Sequence, residues 1–259
     1  MTRWLSGLCG LVLASVVSAP AWAQGAPTHA GCELSSDLRA CAGGPACLTH
    51  TWALLPAGVV FVVARPEDNA ISLLVPDGDQ YREIGLYWPT PQDPQYAYRR
   101  MSRLPYSSTL LGNDFDQSLI VLREPTEFVV DGQTRQYRPI NYGGYTLNID
   151  GCGGDDQLYG GNGNDHLFDY SGNNELRGYG GRDWLEGVGG YFGGGDGDDC
   201  IQADGGAGFT QLFGDAGNDA LLSVGPNGAA RGGEGDDSCI GSSTAGCESA
   251  TPAVCLGWN

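Results

Sequence analysis

The sequence predicts an all-β protein in two parts, a small antiparallel β domain followed by a parallel β-roll of nine-residue units. Residues 151–240 repeat the phrase Gly-Gly-x-Gly-x-Asp-x-(apolar)-x, most clearly at 160–168 (GGNGNDHLF), 194–202 (GGDGDDCIQ) and 232–240 (GGEGDDSCI). Residues 51–150 instead hold short runs rich in β-branched and aromatic residues, punctuated by Asx-Gly, Gly-Gly and proline. No segment carries an apolar stripe at helical spacing. A period of nine is also too short for a helical repeat, whereas it suits one short strand and one tight turn.

Taken in chain order, residues 1–23 read as a secretory signal peptide: Arg3, an apolar run from Leu8 to Val17, then Ala21-Trp22-Ala23 before the expected cut. The apolar run is shorter than the ~18–20 residues of a membrane span. The mature chain is therefore expected outside the cytoplasm, secreted or periplasmic, with no membrane span. Cys9 lies too early in the run to anchor a lipid. Eight cysteines remain, at 32, 41, 47, 152, 200, 239, 247 and 255, an even number that suggests disulfides. No CxxC pair or histidine cluster supports a zinc site instead.

Residues 24–50 form a polar, cysteine-bearing segment with little periodicity. The strand candidates that follow are 58–63, 70–75, 81–87, 118–122, 127–130, 133–137 and 145–149. Asp131-Gly132 between Phe128–Val130 and Gln133–Tyr137 signals a hairpin. Residues 51–150 thus read as an antiparallel sandwich or partial barrel, with irregular coils extending the roll as the alternative. A boundary is expected near Ile149-Asp150, because 30 of the 43 glycines follow residue 150. Residues 241–259 are expected to cap the far end of the roll, whose open edge needs cover.

Within the roll, the apolar position reads Leu158, Leu167, Leu176, Leu185, Phe192, Ile201, Leu212, Leu221, Ala230 and Cys239. A contraction of two residues before Phe192 is offset by an expansion of two before Leu212, so register is restored. A disordered Gly/Asp linker has no reason to keep such phase. Two units make one coil, so units two apart stack. One edge then carries Asp165, Asp183, Asp199, Asp219 and Asp237 without interruption. The opposite edge carries Asp156, Asn174, a shortened unit (187–193), Thr210 and Gly228.

This phrase resembles the hemolysin-type calcium-binding, or RTX, repeat. The resemblance covers 151–240 alone. It implies calcium ions held between stacked turns by their aspartates and by carbonyls of the glycine-rich loops, oxygen donors that suit a hard cation. Transferred by position, the pairs Asp165/Asp183, Asp183/Asp199, Asp199/Asp219 and Asp219/Asp237 give about four calcium sites on one edge. Asp156, facing only neutral Asn174, would make a weaker site or none. Unlike many members of that family, this chain has an N-terminal signal.

Charge narrows the partners. The net charge is −18, and residues 151–259 hold 17 acidic side chains against 3 arginines. That surface argues against nucleic acid or an anionic membrane as partner. It also implies that folding and cation binding are coupled.

A catalytic site is not expected. HExxH and GxSxG are absent, and the lack of any lysine excludes Schiff-base chemistry. Of the histidines, His29, His50 and His166, the last occupies a variable repeat position and is expected to face solvent. Asp114-Phe115-Asp116 reads as an Asx turn, since nothing completes a twelve-residue calcium loop. Trp88, Tyr96, Tyr98, Arg99, Arg100, Arg103 and Tyr106 read as structural packing, with a glycan- or protein-binding surface as the alternative.

The leading expectation is a non-enzymatic calcium-binding module. The second is recognition of a cell-surface glycan or protein by residues 51–150 with the roll as support. The third is a hydrolase with an unfamiliar site.

Overall fold

A computed structural model describes residues 52–54, 58–65, 71–85, 108–113, 116–140, 147–204 and 208–250. The signal peptide, the 24–50 segment, the Trp88–Tyr106 cluster and residues 251–259 lie outside them. Every regular element among the described residues is a strand.

The repeat builds two facing parallel ladders. One is an eight-stranded sheet of β1 (Trp52–Leu54), β5 (Ser108–Asn113), β9 (Leu147–Cys152), β11 (Asp165–Asp169), β13 (Trp184–Val188), β15 (Cys200–Asp204), β17 (Ala220–Val224) and β19 (Ser238–Ile240), in that order. The other sheet has twelve strands. Its parallel part runs through β20 (Ser243–Ala245), β18 (Gly228–Glu234), β16 (Thr210–Ala216), β14 (Gly190–Asp196), β12 (Asn174–Gly180), β10 (Gln157–Tyr159), β6 (Gln117–Val121) and β2 (Gly58–Ala64). Residues 151–240 make about five coils, each contributing one strand to each sheet.

Register follows the apolar ladder. Leu167, Leu185, Ile201, Leu221 and Cys239 are successive partners in the first sheet. Leu158, Leu176, Phe192, Leu212 and Ala230 are successive partners in the second. All ten are buried in one core cluster. The contraction before Phe192 and the later expansion fall in the turns, so neither shifts a strand. A slip of one residue would have turned every apolar side chain outward.

The ladders run past residue 150 toward the N-terminus. Val60 pairs with Leu119 and Leu119 with Leu158, while Leu110 pairs with Ile149 and Ile149 with Leu167. Val60, Leu119 and Ile149 belong to the same core cluster as the repeat. The coils of β1, β2, β5, β6 and β9 therefore extend the roll, as in the alternative reading of 51–150.

The antiparallel part grows from β2. Strand β3 (Ile71–Asp77) pairs with β2 and with β4 (Gln80–Gly85), and β7 (Thr126–Val130) forms a hairpin with β8 (Gln133–Tyr137). Asp131 and Gly132 both take positive φ, 50° and 75°, as a two-residue hairpin turn with right-handed strand twist requires. Backbone bonds between Ala64 and Arg138 bring the end of β8 back to β2. The five strands curl into a partial barrel over a second core of Val63, Leu74, Leu122, Phe128, Val130 and Tyr137.

Strands β1 and β5 are not legible in the sequence. The first is three residues long. The second ends in Gly112-Asn113, which reads as turn chemistry until its pairing with β9 is seen.

Candidate functional site

Numbering each unit from its first glycine, the sixth residue is where the turn ends and the strand begins. Asp165, Asp183, Asp199, Asp219 and Asp237 all stand there, and all are buried, none more than 2% exposed. Their carboxylates do not project to solvent. In the last four, Oδ1 accepts the backbone N–H of the aspartate one coil earlier: Asp165 N–H to Asp183 (2.7 Å), Asp183 to Asp199 (2.8 Å), Asp199 to Asp219 (2.8 Å) and Asp219 to Asp237 (2.9 Å). In return, the N–H groups of Cys200, Ala220 and Ser238 bond to the carbonyls of Asp183, Asp199 and Asp219. Each coil thus exchanges two bonds with the next. The column ends at Glu248, whose Oε2 accepts the Asp237 N–H at 2.8 Å.

The second carboxylate oxygen is a different matter. Oδ2 of Asp183, Asp199, Asp219 and Asp237 is buried and accepts no hydrogen bond, while Oδ2 of Asp165 accepts the Gly161 N–H at 2.7 Å. A buried carboxylate oxygen without a partner is costly. The first glycine of each unit makes the space for it. A methyl group on Gly178, Gly194, Gly214 or Gly232 would run into Oδ2 of its own unit's aspartate. At Gly214 the same methyl would lie 2.7 Å from the Gly232 carbonyl oxygen, and at Gly160 it would lie 2.7 Å from both Asp165 Oδ2 and the Gly178 carbonyl oxygen. Carboxylate and carbonyl oxygens therefore converge along the column. None of these first glycines takes positive φ. They are required by volume, not by backbone conformation.

Electrostatics follow from the geometry. Burial pushes the Asp183 carboxyl up to about 9, Asp199 to about 8 and Asp219 to about 7, and raises Asp237 as well. Neighbouring carboxylates on the column add to the rise, and the backbone N–H bonds oppose it. Left alone, the column favours protons. An oxygen-seeking cation satisfies the same oxygens by charge, so the donor set fits a hard divalent ion. No three His, Cys, Asp or Glu side chains converge as a metal-ligand set among the described residues. Any ion here draws on no more than two carboxylates at a time, with carbonyls completing the donors.

A second ladder escaped the sequence reading. The fifth residue of each full unit is exposed, and at Asp155, Asn164, Asp198 and Asn218 its Oδ1 accepts the N–H of the fifth residue one coil later. Asn173 N–H bonds to Asp155, Arg182 to Asn164, Asn218 to Asp198 and Asp236 to Asn218, at 2.8–3.0 Å. This runs opposite to the buried ladder, so the turns are stitched in both directions. The signal was present in the recurring Asx-Asx pairs 155–156, 164–165, 173–174, 198–199, 218–219 and 236–237. Asp116, expected in a simple turn, belongs to this ladder and accepts the Asp155 N–H at 2.9 Å. Asp114 and Phe115 lie outside the described residues.

The opposite edge is built differently. Gln117 N–H bonds to Asp156 Oδ1 and Asp156 N–H to Asn174 Oδ1. Beyond Asn174 the shortened unit substitutes backbone: Asn174 N–H turns to the Gly189 carbonyl and Gly190 N–H to that of Phe209. Thr210 Oγ1 is buried without a partner. The column of acidic side chains stops at the contraction.

Other expected positions can be placed. His166 is half-buried, not solvent-facing; it stacks on Trp184 with ring centroids 4.4 Å apart, and burial lowers it to about 4. Cys239 and Cys247 form a disulfide between the last coil and the following segment, and Cys152 and Cys200 are also disulfide-bonded. Such bonds suit an oxidising compartment. Cys32, Cys41, Cys47, Cys255, His29 and His50 lie outside the described residues. No helix among the described residues is long and apolar enough to cross a membrane. No protein-family model, curated protein or solved structure matches the chain.

Proposed function

We propose that the roll is a calcium-stabilised module of the RTX kind, acting outside the cytoplasm as a binding and structural unit, not as an enzyme. The observation that carries this is the row of buried, unpartnered Oδ2 atoms on Asp183, Asp199, Asp219 and Asp237, each against a glycine-made space. Asp165, Asp183, Asp199, Asp219 and Asp237 would hold about four ions on one edge, each ion lying between two coils and sharing their carboxylates with loop carbonyls. The ion supplies positive charge where four carboxylates would otherwise take up protons. The chain's own part is to pre-position the acceptors through the N–H to Oδ1 bonds and to exclude water with the apolar ladder. Low calcium would leave the column repelling itself; calcium at the 10⁻⁴–10⁻³ M typical of extracellular modules would lock it.

The test is circular dichroism and thermal melting of the full chain with calcium and with chelator, together with calcium stoichiometry by calorimetry. Calcium should raise the melting temperature by about 10 °C or more and saturate near four ladder ions. An unchanged spectrum and melting temperature would refute the reading, and eight ions would refute its one-sidedness.

A further inference from the structure

In the repeat, the first and sixth residues of a unit face one interior space, which holds a single side chain. Gly194 leaves it to Asp199; in the unit with Gly228 at position six, Ser223 at position one fills it instead. The unit that begins at Asp169 breaks this rule. It has Asp169 at position one and Asn174 at position six, both buried.

Asn174 is fully engaged, accepting the Asp156 N–H through Oδ1 and donating through Nδ2 to the Ser171 carbonyl at 2.6 Å. Asp169 is surplus to the ladder. Its Oδ1 accepts the Ser171 N–H at 3.0 Å, and its Oδ2 is buried with no hydrogen-bond partner. That Oδ2 reaches back one coil. A methyl group on Gly151 would run into it and would also lie 2.7 Å from Oδ2 of Asp156, which is equally buried and equally unpartnered. Both oxygens are aimed into the one space Gly151 leaves open. Asp150 stands beside it, half-buried, with Oδ1 accepting the Cys152 N–H at 3.0 Å.

Two carboxylates sharing a desolvated space cannot both remain ionised without a counter-charge. Burial raises both carboxyls, a proton shared between them raises Asp169 further and lowers Asp156, and Asp150 feels the charge on Asp156. We propose that Asp156 and Asp169 bind one hard divalent cation on the edge opposite the aspartate ladder, with Asp150 adding negative charge at the rim but no ligand. The site is separate from the ladder and does not rest on the ladder reading. It sits where the extended N-terminal coils join the repeat, so its ion would tie β9, β11 and the turn before β10 together.

Calcium is titrated by calorimetry into chelator-treated full chain, comparing the parent with Asp169→Asn, Asp169→Gly and, as a ladder control, Asp183→Asn. Glycine is the repeat's own residue at position one, so Asp169→Gly keeps the coil packed even where the amide does not. Both Asp169 variants should bind one ion fewer than the parent, and Asp183→Asn should keep this ion while losing the two ladder ions that Asp183 borders. A ladder without affinity would leave the parent binding a single ion and both Asp169 variants binding none. If both Asp169 variants bind as many ions as the parent with the same affinity, the proposal is overturned and the pair holds a shared proton instead.

Discussion

The two edges of the roll stack the same coils and differ in how their turns are closed. On one edge five aspartates follow each other coil by coil, each after the first closing the N–H of its predecessor. On the other, Asp156 and Asn174 do the same for two steps, after which backbone carbonyls take over. The roll therefore does not need aspartate to stack its turns. What a continuous aspartate column adds is a line of spare carboxylate oxygens, which is a liability without ions and an asset with them.

The broadest consequence is a pH dependence carried mainly by the ladder edge, to which Asp169 at about 9 and Asp156 and Asp150 at about 6 add on the other edge. Asp183, Asp199 and Asp219 titrate at about 9, 8 and 7 when folded, against the ordinary value of 3.8. The ion-free folded state therefore binds more protons than the unfolded chain across pH 4–9, so its stability is greatest below that window and falls as pH rises through it. The melting temperature in chelator should drop by about 5 °C or more between pH 5 and pH 8. Calcium competes with those protons, so its stabilisation should grow over the same interval. Asparagine at both 183 and 199 keeps the Oδ1 acceptor but cannot ionise; the double variant should make the chelator profile shallower, leaving the part carried by Asp219 and by Asp169 on the opposite edge. A parent profile flat in chelator would show that the column is not the titrating element.

Single substitutions separate the edges next. Asp199→Ala leaves the buried Asp183 N–H without its acceptor and removes a carboxylate from two neighbouring coil gaps. The expected loss is about 1–3 kcal/mol by denaturant unfolding without calcium, with two ions missing from the calorimetric count. Thr210→Ala on the opposite edge removes a hydroxyl that has no partner. Its effect should stay within about 0.5 kcal/mol, with no ion lost. Equal losses at the two positions would abolish the distinction between edges.

Much of this was legible because a nine-residue period converts directly into stacking. The ten apolar positions, the compensated deletion and the single continuous aspartate column were all readable, since a solenoid makes sequence separation equal to spatial adjacency. What was not legible lay where the period fades or where direction matters. Val60, Leu119 and Ile149 continue the core, but no glycine-rich phrase announces them. The phrase places Asp199 in a turn without saying that one oxygen closes a backbone N–H while the other is left over. Nothing in the phrase singles out Asp169, because only the folded coil shows that positions one and six share a space.

That shared space supplies the finest test. Gly228 stands at position six of the opposite edge, paired with Thr210, and does not take positive φ, so an aspartate is conformationally admissible there. A methyl group on Gly228 would, however, run into Ser223 Oγ and lie 2.8 Å from Ser223 Cβ. Gly228→Asp alone should therefore cost about 1–3 kcal/mol through overpacking. Ser223→Gly recreates the Gly/Asp arrangement of the ladder units, and the double variant should recover at least half of that loss in a four-protein unfolding cycle. Yet the calcium count should not rise, because the introduced carboxylate would face Thr210 and no second carboxylate. A double variant no more stable than Gly228→Asp would break the one-side-chain rule, and an extra ion would show that a lone aspartate suffices where the ladder is held to need two.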